Sequence, residues 1–272
     1  MSEKRISGIQ QIHIYLGKCW RLFKNEKQWK NFISSFIIIL IISLVTGPDM
    51  FQTYSDTNKG AFAIVSACIW SGLFNSIQSI CRERDIIKRE YRTGLRISSY
   101  ILAHAIYEMA LCAGESLIVL LMVLIRNHSH LPEKSLVFPL AIDLYITLFL
   151  VTYSSDLIAM LISCAVRAET TAMMIMPFVL VIQLVMSGVV FTLEGISKAI
   201  SYFTVSRWGV NCICAITRTS QYVDWEARFS DVEGCDPEPS TLIGAWGIML
   251  LFCVVYILIS IILLHRVDKD QR

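Results

Sequence analysis

Residues 60–96 read GAFAIVSACIWSGLFNSIQSICRERDIIKREYRTGLR. From Gly60 to Cys81, 22 residues carry no formal charge; from Arg82 to Arg96 there are six basic and three acidic ones. At 1.5 Å per residue the first part, as a helix, spans the roughly 30 Å of a bilayer's hydrocarbon. The second part belongs in water or among headgroups. The junction therefore reads as a membrane span that delivers the chain to a charged surface. Working outward, the same pattern recurs. Lys30 and Asp49 bracket 18 uncharged residues, Glu169 and Glu194 bracket 24, and Ser240–Leu264 is a further run of 25. Ile97–Ile125 and Val137–Val166 are mostly apolar but hold Glu108, Glu115, Asp143 and Asp156. They also read as spans, because soluble helices are rarely apolar on all faces for so long.

The expectation is an all-α polytopic membrane protein. Its six spans fall at about 32–48, 60–81, 98–125, 137–165, 170–191 and 240–264. They form one membrane domain over 33–265, between an N-terminal segment of 1–32 and a tail of 266–272. Hydrophobic residues make up 55% of the 272, and the mean hydropathy is +0.57, too apolar for an ordinary soluble domain. Of 24 Lys and Arg, 17 lie before the first run, between the second and third, between the fourth and fifth, and after the last. The positive-inside rule makes those segments cytoplasmic, with both termini inside. About 30 polar and basic residues precede the first run, which is not the form of a signal peptide. The net charge of +2 carries no nucleic-acid signal, and no linker, low-complexity tract or repeat is visible.

Between the spans, Ile12, Tyr15, Leu16, Cys19, Trp20 and Phe23 recur at helical spacing with Lys18, Arg21 and Lys24 interleaved. This predicts an amphipathic helix in the inner interface. Residues 81–94 have helical periodicity with Gly94 as a stop, and form either an inert connector or a lever for a cytoplasmic partner. Ile196–Ile216, in the largest outer segment, is only partly polar and is expected to dip back into the membrane.

The catalytic loops are missing. Gly17-Lys18 is followed by Cys19, and position 12 is Ile, so the phosphate-binding loop pattern is not met. No dinucleotide, zinc-protease or nucleophile-elbow motif occurs, and no catalytic or metal-ligating set stands out. His104, Glu108 and Glu115 share a helical face. His104 and Glu108 are expected to pair with basic residues of the charged helix. Asp156 is read either as a proton or substrate site, or as an inter-helix hydrogen bond involving Ser154 or Ser155. Cys68, Cys81, Cys112, Cys164 and Cys253 fall in or beside spans as small core residues. Cys235 could form a disulfide with Cys212 or Cys214 in an oxidising exterior. Asn127-His128-Ser129 is a glycosylation sequon on the outer side.

Trp70-Ser71-Gly72-Leu73-Phe74-Asn75-Ser76-Ile77, Arg82-Glu83-Arg84, Lys88-Arg89-Glu90-Tyr91-Arg92-Thr93-Gly94 and Ser98-Ser99-Tyr100 follow one another in order. A second block holds Ser187-Gly188-Val189-Val190-Phe191-Thr192-Leu193, then Tyr202-Phe203 and Arg207-Trp208-Gly209. Their order and spacing resemble type 2 ABC exporters. The similarity is strongest to the G subfamily and to bacterial relatives whose ATPase often carries an FHA domain. The resemblance implies a permease subunit in the bacterial cell membrane that works as a pair of such domains and moves its substrate outward. It also implies a separate ATPase subunit carrying ATP and Mg, since this chain has no nucleotide loop. Glu83, Arg84, Lys88, Arg89 and Glu90 become ATPase-coupling candidates. Cys68, Ser71, Val181 and Leu184 match substrate-cavity positions, and Val189 and Val190 match the outer gate. A mostly apolar lining suggests an amphipathic or lipid-like substrate. The competing reading is a proton-coupled secondary transporter using Glu115 and Asp156. A membrane enzyme is a distant third.

Overall fold

The computed structural model describes residues 7–25, 33, 37–38, 40–42, 51, 53–127, 136–191, 193–219 and 237–265. Among these residues every regular element is helical. Helix α1 is Gly8–Asn25, and α2, Tyr54–Ser76, is followed after a short break by α3, Ser79–Arg82. Then come α4, Arg84–Arg92; α5, Ile97–Arg126; α6, Leu140–Ala165; and α7, Glu169–Val185. Helices α8, Gly195–Ser201, and α9, Val205–Ile216, precede α10, Pro239–Leu264. Among the described residues, four stretches are long and apolar enough to cross a membrane: Tyr54–Arg82, Ile97–Arg126, Leu140–Ala165 and Pro239–Leu264. Most of the first expected span, 32–48, lies outside the described residues; within it, 33, 37–38 and 40–42 are helical.

Two of the boundaries that differ from the sequence reading have a clear local cause. α2 starts at Tyr54 and takes Lys59 into its first turns. The reason is local: Thr53 Oγ1 accepts from the Asp56 backbone N–H and donates to the Asp56 carboxylate, which caps the helix. α7 stops at Val185, well short of 191. Its 17 residues reach only about 26 Å at the ordinary helical rise. Ser187 turns its hydroxyl onto the Leu184 carbonyl, and Gly188 follows at φ +81°, a conformation that ends a helix.

α6 is the hub. It packs against α2, α5, α9 and α10 and is buried along most of its length. α10 is the opposite case, with Leu250, Leu251, Val254, Leu258 and Ile262 exposed. α9 is almost wholly buried against α2, α6 and α10. Gly209 makes that depth attainable, since a Cβ there would meet Val151 Cγ2 at 2.7 Å. α1 lies against α5 and presents Gly8, Gln11, Tyr15, Lys18 and Cys19 to it and its neighbours, with Ile9, Ile14 and Trp20 outward.

Candidate functional site

The spacing of small and polar residues on α2 sets up two seams. Cys68, Gly72 and Ser76 recur every four residues and face α6. Cys68 lies beside Thr152, and a Cβ at Gly72 would overlap the Thr152 carbonyl oxygen. Ser76 donates to Asp156 Oδ1 at 2.6 Å. The seam continues past the break after Ser76. The backbone N–H groups of Ile80 and Cys81 both donate to Ser163 Oγ, and Arg84 reaches the Cys164 and Val166 carbonyls. The second seam faces α5. There Ser71 and Asn75 donate to Glu115 Oε2 at 2.6 and 2.9 Å.

Asp156, Glu115 and Glu108 are all buried, close enough to feel one another's charge. Two expectations are corrected here. Glu108 has no basic partner from the charged helix among the described residues, and its Oε2 makes no hydrogen bond. The inter-helix partner of Asp156 is Ser76. Ser154 and Ser155 spend their hydroxyls on the Leu150 and Val151 carbonyls of their own helix, as helical serines readily do. His104 is likewise not paired with a cation. It lies 3.7 Å from Cys19 Sγ and against the Tyr100 ring.

At the charged end, α1 is tied to α4 and α5 by polar contacts. Lys18 Nζ sits 2.8 Å from Glu83 Oε2, which also accepts from Tyr100. Burial alone would raise the Glu83 carboxyl, but the Lys18 ammonium and the Tyr100 hydroxyl outweigh it and hold it below its ordinary value. Tyr15 donates to Glu90 at 2.8 Å; burial and that carboxylate push the phenol up. Burial also pushes the Cys19 thiol up to about 12, so it is an inert packing group. Gln11 bridges the turn after α4, donating to the Gly94 carbonyl and accepting from the Arg96 N–H.

The five coupling candidates therefore divide. Glu83, Arg84 and Glu90 are engaged inside the chain, Lys88 is half-buried, and Arg89 is exposed. Arg82, Asp85, Ile86 and Arg92 are exposed beside Arg89. Sequence reading missed Asp85 and Ile86. Their signal was the helical stripe 82, 85–86, 89, 92, opposite the buried Ile87.

The cavity candidates also divide. Cys68 and Ser71 are buried among α5 and α6 by the seams above; Val181 is exposed and Leu184 half-buried on α7. The surface of α2 that reaches outward carries Trp70 and Phe74, whose rings stack 5.2 Å apart. Of the gate pair, Val189 is half-buried and Val190 exposed. Gln183 was not singled out by the sequence reading, although it is the single amide in 170–191. Its Oε1 accepts from the Val205 and Ser206 N–H groups, so α7 caps α9. Cys212 and Cys214 are buried in α9; Cys235 lies outside the described residues, as do His128 and Ser129 of the sequon. Among the described residues no three His, Cys, Asp or Glu side chains are disposed to hold a metal.

A family model described as "ABC-2 type transporter" matches residues 10–217, from α1 through the end of α9. No curated protein matches the chain.

Proposed function

The chain belongs to the ABC-2 type transporter family, and from that membership we propose that it is the permease half of an ATP-driven exporter. It is a transmembrane subunit of an ABC-2 type transporter, an integral membrane protein rather than the catalytic component. ATP, with Mg, is hydrolysed on a separate ATPase subunit, of the FHA-bearing kind suggested by the G-subfamily-like motifs. Six spans cross a bacterial cell membrane with both termini in the cytoplasm, which places α4 at the ATPase. A second copy, or a related permease, completes the pathway.

The observation that carries this reading is the division of α4 into two faces. One face is fastened to α1, α5 and α6 through Glu83, Arg84, Ile87 and Glu90. The other presents Asp85, Ile86, Arg89 and Arg92 outward, beside the exposed Arg82 at the end of α3. A lever needs this combination: attachment to the spans on one side and an exposed, charged side that a partner can reach. The path for substrate is proposed along α2 and α7. Only Ala172, Met176 and Gln183 are buried on α7, and Met174, Phe178, Val181 and Ile182 are exposed. Such apolar surfaces suit an amphipathic or lipid-like substrate and a facing copy. The α2 contribution is revised from Cys68 and Ser71 to Trp70 and Phe74, with Leu184 on α7 and a gate at Val189 and Val190.

The test is Arg89→Glu. The side chain is exposed, so the fold should lose no more than about 0.5 kcal/mol. ATP hydrolysis by the complex should continue while transport falls at least tenfold. Normal transport by this variant and by Arg92→Glu would remove α4 from the coupling path.

A further inference from the structure

Arg207 brings a positive charge into the turn that joins α8 to α9. It lies in the first turn of α9 and is 9% exposed, and no carboxylate pairs with it among the described residues. Its contacts are neutral. Nη1 donates to Ser201 Oγ at 2.6 Å, and the guanidinium carbon stands 4.2 Å from the centre of the Tyr202 ring. Nε is enclosed and has no acceptor. A buried charge in this state is costly, because a hydroxyl and an aromatic face do not fully replace the water or counter-ion it gave up. Position adds to the cost. The first turn of a helix carries partial positive charge of its own, which suits an anion better than a guanidinium.

The oxygens of the turn are engaged by other donors. Ser201 gives its hydroxyl to the Lys198 carbonyl, Thr204 donates to the Ser201 carbonyl, and Trp208 Nε1 donates to the Tyr202 carbonyl. The Gln183 side-chain oxygen takes the Val205 and Ser206 N–H groups. These bonds build a frame around Arg207 without neutralising it. Apolar surface borders the frame. Ser201 and Tyr202, which touch the guanidinium, are flanked along the chain by the exposed Ile200 and Phe203, with the exposed Ile196 one helical turn before Ile200. In an integral membrane protein such a collar meets lipid. A soluble anion would make no use of it, and a zwitterionic headgroup would bring a cation of its own. The chemistry that matches a cation bordered by apolar side chains is an anion carrying acyl chains.

We propose that the α8–α9 turn binds the headgroup of an acidic phospholipid, with the phosphate on Arg207 and the acyl chains along Ile196, Ile200 and Phe203. The planar guanidinium fork suits two phosphate oxygens, which a lysine would meet only as a point charge. Tyr202 is 38% exposed and its ring lies over the guanidinium, so binding exchanges the ring for the phosphate on that face. Ser201 keeps Nη1 in place meanwhile. The turn is fastened to α7 through Gln183, so a lipid held there braces the joint between α7 and α9.

The site needs only an integral membrane protein and does not depend on the exporter reading. Native mass spectrometry of the full chain, titrated in detergent with dioleoyl phosphatidylglycerol or dioleoyl phosphatidylcholine, counts the lipids bound. Wild type should bind one phosphatidylglycerol about tenfold more tightly than phosphatidylcholine. Arg207→Gln should remove that preference, whereas Arg126→Gln, which removes an exposed cation at the end of α5, should keep it. Should Arg207→Gln fail to fold, Phe203→Glu decides: its side chain is 75% exposed, and a carboxylate on the collar should repel the anionic lipid and spare phosphatidylcholine binding. Inorganic phosphate should not displace the lipid. Equal binding of the two lipids by wild type, or a preference that survives in Arg207→Gln or Phe203→Glu, would overturn the proposal. So would a preference lost equally in Arg126→Gln, or displacement by inorganic phosphate. A preference that emerges only when Asp224, Glu226, Asp231, Glu233 and Asp236 are replaced by their amides would also overturn it, giving the cation to the chain's own carboxylates.

Discussion

Gly72 shows at single-residue scale how the bundle is set. Its missing Cβ lets α2 and α6 approach until the Thr152 carbonyl occupies the space a methyl would take. Every contact of the seam depends on that approach, including Ser76 with Asp156. Gly72→Ala is expected to destabilise the bundle by about 1–3 kcal/mol, as overpacking does. Gly247→Ala on α10, where a Cβ meets nothing, should leave stability unchanged. Thermal unfolding in detergent would read the contrast, and equal midpoints for the two variants would contradict the close approach. The sequence made some of this legible. Glu108, Glu115 and Asp156 stood out as charges in apolar runs, and burying them demands partners. It did not say which hydroxyl served which carboxyl. Ser154 and Ser155 were nearer in sequence to Asp156, but a helix turns neighbours away from one another, and the partner came from α2.

At the scale of elements, α1 is held to the charged end by Lys18, Tyr15 and Gln11. The ion pair gives this docking a pH dependence with a definite sign. The Glu83 carboxyl is held below its ordinary 4.5 in the folded chain. Its contribution is therefore complete above the unfolded carboxyl's value and is lost as the pH falls through the lower, folded one. Hydrogen exchange over 8–25 should show wild type better protected than Lys18→Met at neutral pH. The two should converge on acidification below about 4.5. Equal protection at neutral pH would mean that α1 does not depend on this pair. The amphipathic pattern of α1 and the helical character of 84–92 were both legible from periodicity. What periodicity could not show was which face of α4 was taken. Arg84 and Glu90 look as solvent-suited as Arg89, and only packing against α1 and α6 separates them. Span ends were the other weak point. Thr53 extended α2 and Gly188 shortened α7, because caps and positive φ outrank an uncharged run in deciding where a helix stops.

For the whole molecule, the central claim is that this chain moves its substrate with energy supplied by an ATPase that docks on α4. Membership of the ABC-2 type transporter family makes the chain a transmembrane subunit of such a transporter; connection to an ATPase through the exposed side of α4 is the proposed part of the account. The buried carboxyls bear on a different machine, a carrier driven by protons. Glu115 is held by two donors, and Asp156 accepts from Ser76. Reconstitution of the complex purified in mild detergent, in vesicles loaded with a labelled lipid-like substrate, separates the two machines. The decisive measurement is the rate of substrate movement with Mg-ATP and no pH gradient, against the rate with a pH gradient and no ATP. Movement that requires Mg-ATP, a co-purified ATPase and an intact Arg89 is the predicted result. Movement that follows the pH gradient without ATP, from a chain that carries no ATPase, would contradict the account.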